Sequence, residues 1–155
     1  MLVIEQVTAP TDDARALLGE LDAELSADYV AEQRHGLTLD RLFRRDVMFF
    51  MARLGGTAVG CGGVAFDVDR AEVKRMYVRP AERQRGVAQA ILARLEIETR
   101  ARGIRRLVLE TGDGQLAAMR FYERAGFARC PAFGAYASMP RAAIARSVFF
   151  EKHIG

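Results

Sequence analysis

The sequence has only two cysteines, Cys61 and Cys130, far apart and without CxxC spacing. Both sit among apolar neighbours, which reads as buried thiols rather than a disulfide, a nucleophile or a ligand pair. That usage fits a reducing cytoplasm. No stretch approaches the roughly eighteen uninterrupted apolar residues of a bilayer span. The leading MLVIEQ lacks the basic-then-apolar pattern of a secretion signal. Membranes are therefore not expected as partners. Repeats, low-complexity tracts and linkers are also missing, so one domain over residues 1–155 is expected. The two histidines, His35 and His153, show no metal-ligand spacing, and no metal is expected. Lysine is scarce: of 23 basic residues only Lys74 and Lys152 are lysine. The net charge of +3 is too small to argue for nucleic acid, and the acids Glu96, Glu98 and Glu110 interleave with the arginines.

What is present supports a folded core, because half of the residues are hydrophobic. Val3–Val7 reads as a strand. Thr11-Asp12-Asp13 offers capping groups to a helix whose apolar positions run Ala14, Leu17, Leu18, Leu21, Leu25. Leu37–Arg45 reads as a short second helix. Val47–Leu54 and Thr57–Phe66 flank Gly55-Gly56, a hairpin signal. Gly60, Gly62 and Gly63 suggest a bulge or a close approach. Glu72–Val78 is a further strand. Gly86–Arg102 is the clearest helix, with Ala88, Ile91, Leu92 and Leu95 in one stripe and Gly103 as its stop. Glu96–Arg100 and Glu98–Arg102 are spaced as i,i+4 ion pairs. Arg106–Glu110 is a buried strand, Gln115–Ala125 a helix, Phe127–Cys130 a short strand, Phe133–Ala145 a loop and Ser147–Ile154 a last strand. The order predicts an α/β fold on a mixed sheet, mostly antiparallel and locally parallel around the Gly86 helix.

Arg83-Gln84-Arg85-Gly86-Val87-Ala88 lies between a strand and the strongest helix. A helix's first turn has unpaired N–H groups and a positive dipole end. Gly86 removes the Cβ that would hold a ligand off, Ala88 is the next smallest residue, and the arginines add charged donors. A diphosphate fits such a place.

This segment resembles the [RQ]-x-x-G-x-[GA] motif of the GNAT superfamily, the Gcn5-related N-acetyltransferases. The resemblance continues upstream in MYVRP (Met76–Pro80) and downstream in FYERAGF (Phe121–Phe127), covering about Glu72–Phe127, and SVFFEK (Ser147–Lys152) looks like the family's last strand. It implies a GNAT-like fold, splayed at the strand of Met76. It also implies acetyl-CoA as cosubstrate and transfer of its acetyl group to a primary amine by direct attack in a ternary complex. By the same resemblance, Arg83, Gln84, Arg85, Gly86, Val87 and Ala88 wrap the pyrophosphate. Met76, Tyr77 and Val78 meet the pantetheine and the acetyl carbonyl through their backbone, where an N–H stabilises the developing oxyanion. Tyr122 stands near the sulfur and protonates the departing thiolate. Many members have Asn where this chain has Gln115, an amide on a longer arm.

An amine of pKa about 10 must lose a proton, and a carboxylate or an ordered water can take it. Glu72 resembles the catalytic glutamate of the histone-acetylating branch. Period-two alternation puts it on one strand face with Lys74, Met76 and Val78. Its alternative is a strand-end glutamate paired with Lys74 or an arginine. Glu110 ends a strand where an α/β sheet opens to ligands, and could bind the substrate ammonium or assist proton removal; a capping role is the alternative. His35, Phe133 and Tyr136 are candidates to line or cover the acceptor pocket, or to pack. A small-molecule acceptor is favoured by the short chain. The rivals are a protein or peptide N-acetyltransferase and a non-catalytic acyl-CoA-binding module. Apolar residues near the C-terminus would permit a homodimer.

Overall fold

Gly55 and Gly56 adopt φ of +58° and +86°, the left-handed pair that a tight two-residue hairpin favours. They join β2 (Val47–Leu54) to β3 (Thr57–Phe66), and β1 (Leu2–Val7) and β4 (Ala71–Val78) add antiparallel on either side. After β1 comes α1 (Asp12–Asp28), whose first turn is capped by Thr11: its Oγ1 accepts from the Ala14 N–H at 3.2 Å. A single turn, α2 (Leu39–Leu42), leads into β2. The second half supplies α3 (Val87–Ala101), β5 (Arg106–Gly112), α4 (Leu116–Arg124), the two-residue β6 (Ala128–Arg129), a one-turn α5 (Arg141–Ile144) and β7 (Ser147–His153). The computed structural model describes residues 1–155 and sets the seven strands in one mixed sheet, ordered β1-β2-β3-β4-β5-β7-β6.

Each face of the sheet has its own core. Phe50, Val64, Leu107 and Phe150 meet Ile91 and Leu95 of α3 on one side. Phe49, Met51 and Cys61 meet Leu17, Leu18 and Leu21 of α1 on the other. The α3 side is tight because β3 is bare there: a Cβ on Gly62 would lie 2.8 Å from Ile91 Cγ2 and one on Gly60 3.1 Å from Val87 Cγ1. The glycines of β3 therefore let α3 lie directly on the sheet.

Two irregularities shape the centre. Strand β4 pairs with β5 in parallel only at Ala71–Leu107 and Glu72–Val108. Beyond Glu72 the two strands separate, leaving a wedge between Val73–Val78 and Leu109–Gly112. Within β4, Arg75 has φ of +56°, and the register against β3 jumps between Cys61 and Gly63. One extra residue thus bulges from β4. The conformation costs an L-residue about 1–2 kcal/mol. It is held by the Arg75 guanidinium, which bonds Asp22 Oδ1 at 2.7 Å, and by the Cys61 thiol, which donates to the Arg75 carbonyl at 3.4 Å.

The bulge corrects the expectation from alternation. Met76 and Val78 pack with the α3 core, as do Ala71 and Val73, whereas Tyr77 joins the α1 core. Glu72 and Lys74 are therefore on the opposite face from Met76 and Val78. Other departures are local. The helix expected over Leu37–Arg45 is one turn long, without a side-chain cap from Thr38. The expected loop 133–145 contains the 3-10 turn Gly134–Ser138 and α5. Glu98 pairs with Arg94 at 2.8 Å, while Arg102 lies over the Phe66 ring at 3.9 Å. Cys130 is half-buried rather than buried. The apolar residues near the C-terminus face inward, Phe149, Phe150 and Ile154 all being buried, so they offer no exposed patch for a dimer. No helix is long and apolar enough to cross a membrane.

Candidate functional site

The loop before α3 presents backbone donors. Arg83 N–H is bonded to the Pro80 carbonyl and Ala90 N–H to Gly86. Between them, the six consecutive N–H groups from Gln84 to Gln89 have no acceptor in the protein. Gln84 and Gly86 both have positive φ, +64° and +82°, a pattern that turns successive N–H groups toward one concavity. A Cβ on Gly86 would meet no protein atom within 4 Å, so the space beside it is open to a ligand. No side chain caps α3, and its positive end is free for an anion. These features fit a diphosphate. Arg83 and Arg85 stand beside the loop, Arg83 bonded to Glu24 at 2.9 Å and Arg85 to Glu82 at 3.4 Å. Val87 is buried against β3, so its backbone rather than its side chain is what it can offer a ligand.

From this loop the wedge between β4 and β5 runs into a cavity of about 140 Å³. Met76 of β4, Leu109, Thr111 and Gly112 of β5, and Gln115, Ala118 and Tyr122 at α4 line it on one side. Gln115 is the N-cap of α4, and its side chain makes no capping bond. Tyr122 is buried, its hydroxyl makes no hydrogen bond, and burial pushes its phenol above the ordinary value. It stays protonated at neutral pH.

The opposite wall is polar. Tyr136 donates its hydroxyl proton to Glu72 Oε2 at 2.7 Å, and Lys74 Nζ contacts the same carboxylate oxygen at 3.0 Å. Lys74 also donates to the Tyr136 hydroxyl oxygen at 2.8 Å and to the His35 carbonyl at 3.1 Å. His35 lines the cavity, with Nε2 2.7 Å from the Ala143 carbonyl. That nitrogen carries hydrogen, since a carbonyl only accepts. Phe133 does not line the cavity; it packs beneath Tyr136 and Phe149. Tyr136 likewise acts from behind the wall, through Glu72 and Lys74.

Glu110 stands apart from that network. Its one hydrogen bond comes from the Ser147 hydroxyl, at 2.7 Å to Oε2. Burial raises its pKa above the ordinary 4.5, against the lowering effects of Ser147, His35 and Lys74. Cys61, on the far side of β4, is no nucleophile: burial pushes its thiol up to about 12.

Sequence reasoning missed three contributors. In the sequence, Lys74 shows itself only as an ion-pair partner for Glu72. Tyr29, at the end of α1, lines the cavity and accepts from the Gly114 N–H at 2.9 Å, tying α1 to the loop after β5. Arg34 lines the cavity with its Nε buried and unpaired. Nothing in the sequence around Tyr29 or Arg34 marks either one.

Residues 15–127 match the acetyltransferase (GNAT) family. The IAA acetyltransferase of Azospirillum brasilense is 41% identical over 147 residues, covering 93% of each chain. The uncharacterised N-acetyltransferase YsnE of Bacillus subtilis is 32% identical over 126 residues, or 79% of this chain and 80% of that one. Among solved structures, a protein of Klebsiella pneumoniae assigned as an acyl-CoA N-acyltransferase superposes with a TM-score of 0.80 at 30% identity, over 100% of this chain and 99% of that one.

Proposed function

The chain belongs to the GNAT acetyltransferase family, and from that premise we propose that it moves an acetyl group from acetyl-CoA to the primary amine of a small molecule. One observation carries the reading: a loop with six unbonded N–H groups leads, along an open strand edge, to a cavity that holds both a protonated phenol and a poorly solvated carboxylate. The N–H groups of Gln84–Gln89 would hold the diphosphate, with Arg83 and Arg85 beside it. Met76, Tyr77 and Val78 would receive the pantetheine arm along the free edge of β4. Bound acetyl-CoA would supply the acetyl thioester.

Glu110 is the better proton acceptor of the two carboxylates. Burial has raised its proton affinity and it receives one hydrogen bond, whereas Glu72 is already held by Lys74 and Tyr136. The amine nitrogen gives up two protons as it bonds to the acetyl carbon and the carbon–sulfur bond breaks. Glu110 takes the first and passes it to solvent. The second balances the proton that Tyr122 gives to sulfur. The reacting end of a small acceptor fits the cavity of about 140 Å³, since roughly 150 Å³ holds one benzene ring. A relative named as an IAA acetyltransferase points the same way.

A screen of primary amines, read by mass gain on the amine and by thiol release from acetyl-CoA, tests the proposal. At least one small amine should gain an acetyl group, and Glu110→Gln should lower kcat by about 100-fold. Tight binding of acetyl-CoA without thiol release across the panel would instead favour an acyl-CoA-binding module.

A further inference from the structure

Five charged side chains line the cavity: Arg34, Glu72, Lys74, Arg75 and Glu110. Two pairs are settled within the protein. Lys74 and Glu72 neutralise each other at 3.0 Å, and Arg75 is charge-paired with Asp22 through Nη2 at 2.7 Å, although its Nε, like that of Arg34, is buried without a partner. Glu110 and Arg34 remain. Glu110 has only the Ser147 hydroxyl. Arg34 forms no ion pair and no hydrogen bond, and its Nε is buried without a partner.

An arginine cannot shed its charge to escape such a place. A buried donor left unsatisfied costs about 1–3 kcal/mol, and an oxyanion is the partner its fork fits. Arg34 also borders a second cavity of about 500 Å³, which shares Leu25, Gly36 and Arg75 with the first. A ligand held at Arg34 therefore has room to extend away from the wedge.

We propose, resting on the acetyl-transfer reading, that the acceptor is a small amine that also carries a carboxylate. Its ammonium group faces Glu110 and its carboxylate faces the guanidinium of Arg34. The two unpaired charges of the wall would then each meet an opposite charge on one molecule.

The test uses matched pairs: glycine, β-alanine and the larger α-amino acids, each against its own carboxamide. Calorimetry on the CoA-saturated protein reads binding, and thiol release from acetyl-CoA reads transfer. Carboxylates should bind and turn over at least about 50-fold better than their amides, the loss of one charge-assisted bond pair. Arg34→Gln should bring that preference to within about threefold, and Arg34→Lys should leave it intermediate. Equal use of acid and amide by the wild-type protein would overturn the proposal, as would a preference untouched by Arg34→Gln. Failure to bind any carboxylate would overturn it as well. Carboxylate-selective binding without thiol release would support the anion site and sink the transfer reading instead. Turnover of amines without carboxylate preference would do the reverse.

Discussion

The start of α3 and the polar wall of the cavity are built in opposite ways. The α3 loop is one contiguous segment, offering mainly main-chain N–H groups and open space. The wall gathers side chains from the segment after α1, from β4 and from β5; Glu72 and Lys74 are fixed by each other and by Tyr136 behind them, whereas Glu110 and Arg34 stand outside that network. A main-chain site tolerates many side chains but not a change of backbone shape or a blocking charge. A side-chain site keeps its shape through the network, so its members fail in different degrees.

Gly86→Glu puts this contrast under the greatest strain. It forces a side chain into the left-handed region, at about 1–2 kcal/mol, and sets a negative charge at the positive end of α3. CoA affinity should fall about 1,000-fold by calorimetry, with the fold retained because a Cβ there meets no protein atom. An unchanged affinity would show that the loop is not the diphosphate site. Tyr122→Phe removes only a hydroxyl that bonds to nothing in the protein. It should lower kcat about 100-fold with little change in CoA affinity, and full activity across pH would refute the acid role.

The smallest effect belongs to the wall and concerns stability. Glu110 holds its proton more tightly folded than unfolded. Below its ordinary value of 4.5, both states are protonated and burial of the neutral acid is tolerated. As pH rises from there, the unfolded chain ionises first and the native state loses stability, levelling off once pH passes the raised native pKa. Glu110→Gln lacks this loss. Its Tm should rise relative to that of the wild type as pH goes from 4 toward neutrality. A gap that shrinks with rising pH would contradict the assignment.

The same contrast explains what could be read from the sequence. Gly55-Gly56 and the glycines of β3 announced a hairpin and a close contact, because a single residue type answers to a single backbone demand. Gly86 behind Arg83-Gln84-Arg85 announced a left-handed turn with open N–H groups at the start of α3 for the same reason. The wall could not be assembled in advance, since Arg34, Lys74, Glu110 and Tyr136 meet only through tertiary packing. Period-two reasoning also misplaced Glu72 relative to Met76. It presumes an unbroken strand, and an arginine with positive φ gives no warning in sequence. The helix expected at Leu37–Arg45 shrank to one turn because capping residues near Thr38 imply a start but not a length.

The extra residue at position 75 divides β4 into two independently editable halves. Before it, Glu72 and Lys74 face the α1 side while Ala71 and Val73 pack toward α3; after it, Met76 and Val78 pack toward α3 and Tyr77 toward α1. Variation at Glu72 and Lys74 could therefore retool what the protein accepts while the surface that packs on α3 keeps its form. The handover point can be tested on its own terms: deleting Arg75 would restore a regular pleat and leave Glu72, Lys74 and Tyr77 on one face and Met76 and Val78 on the other, at the cost of the Asp22 contact.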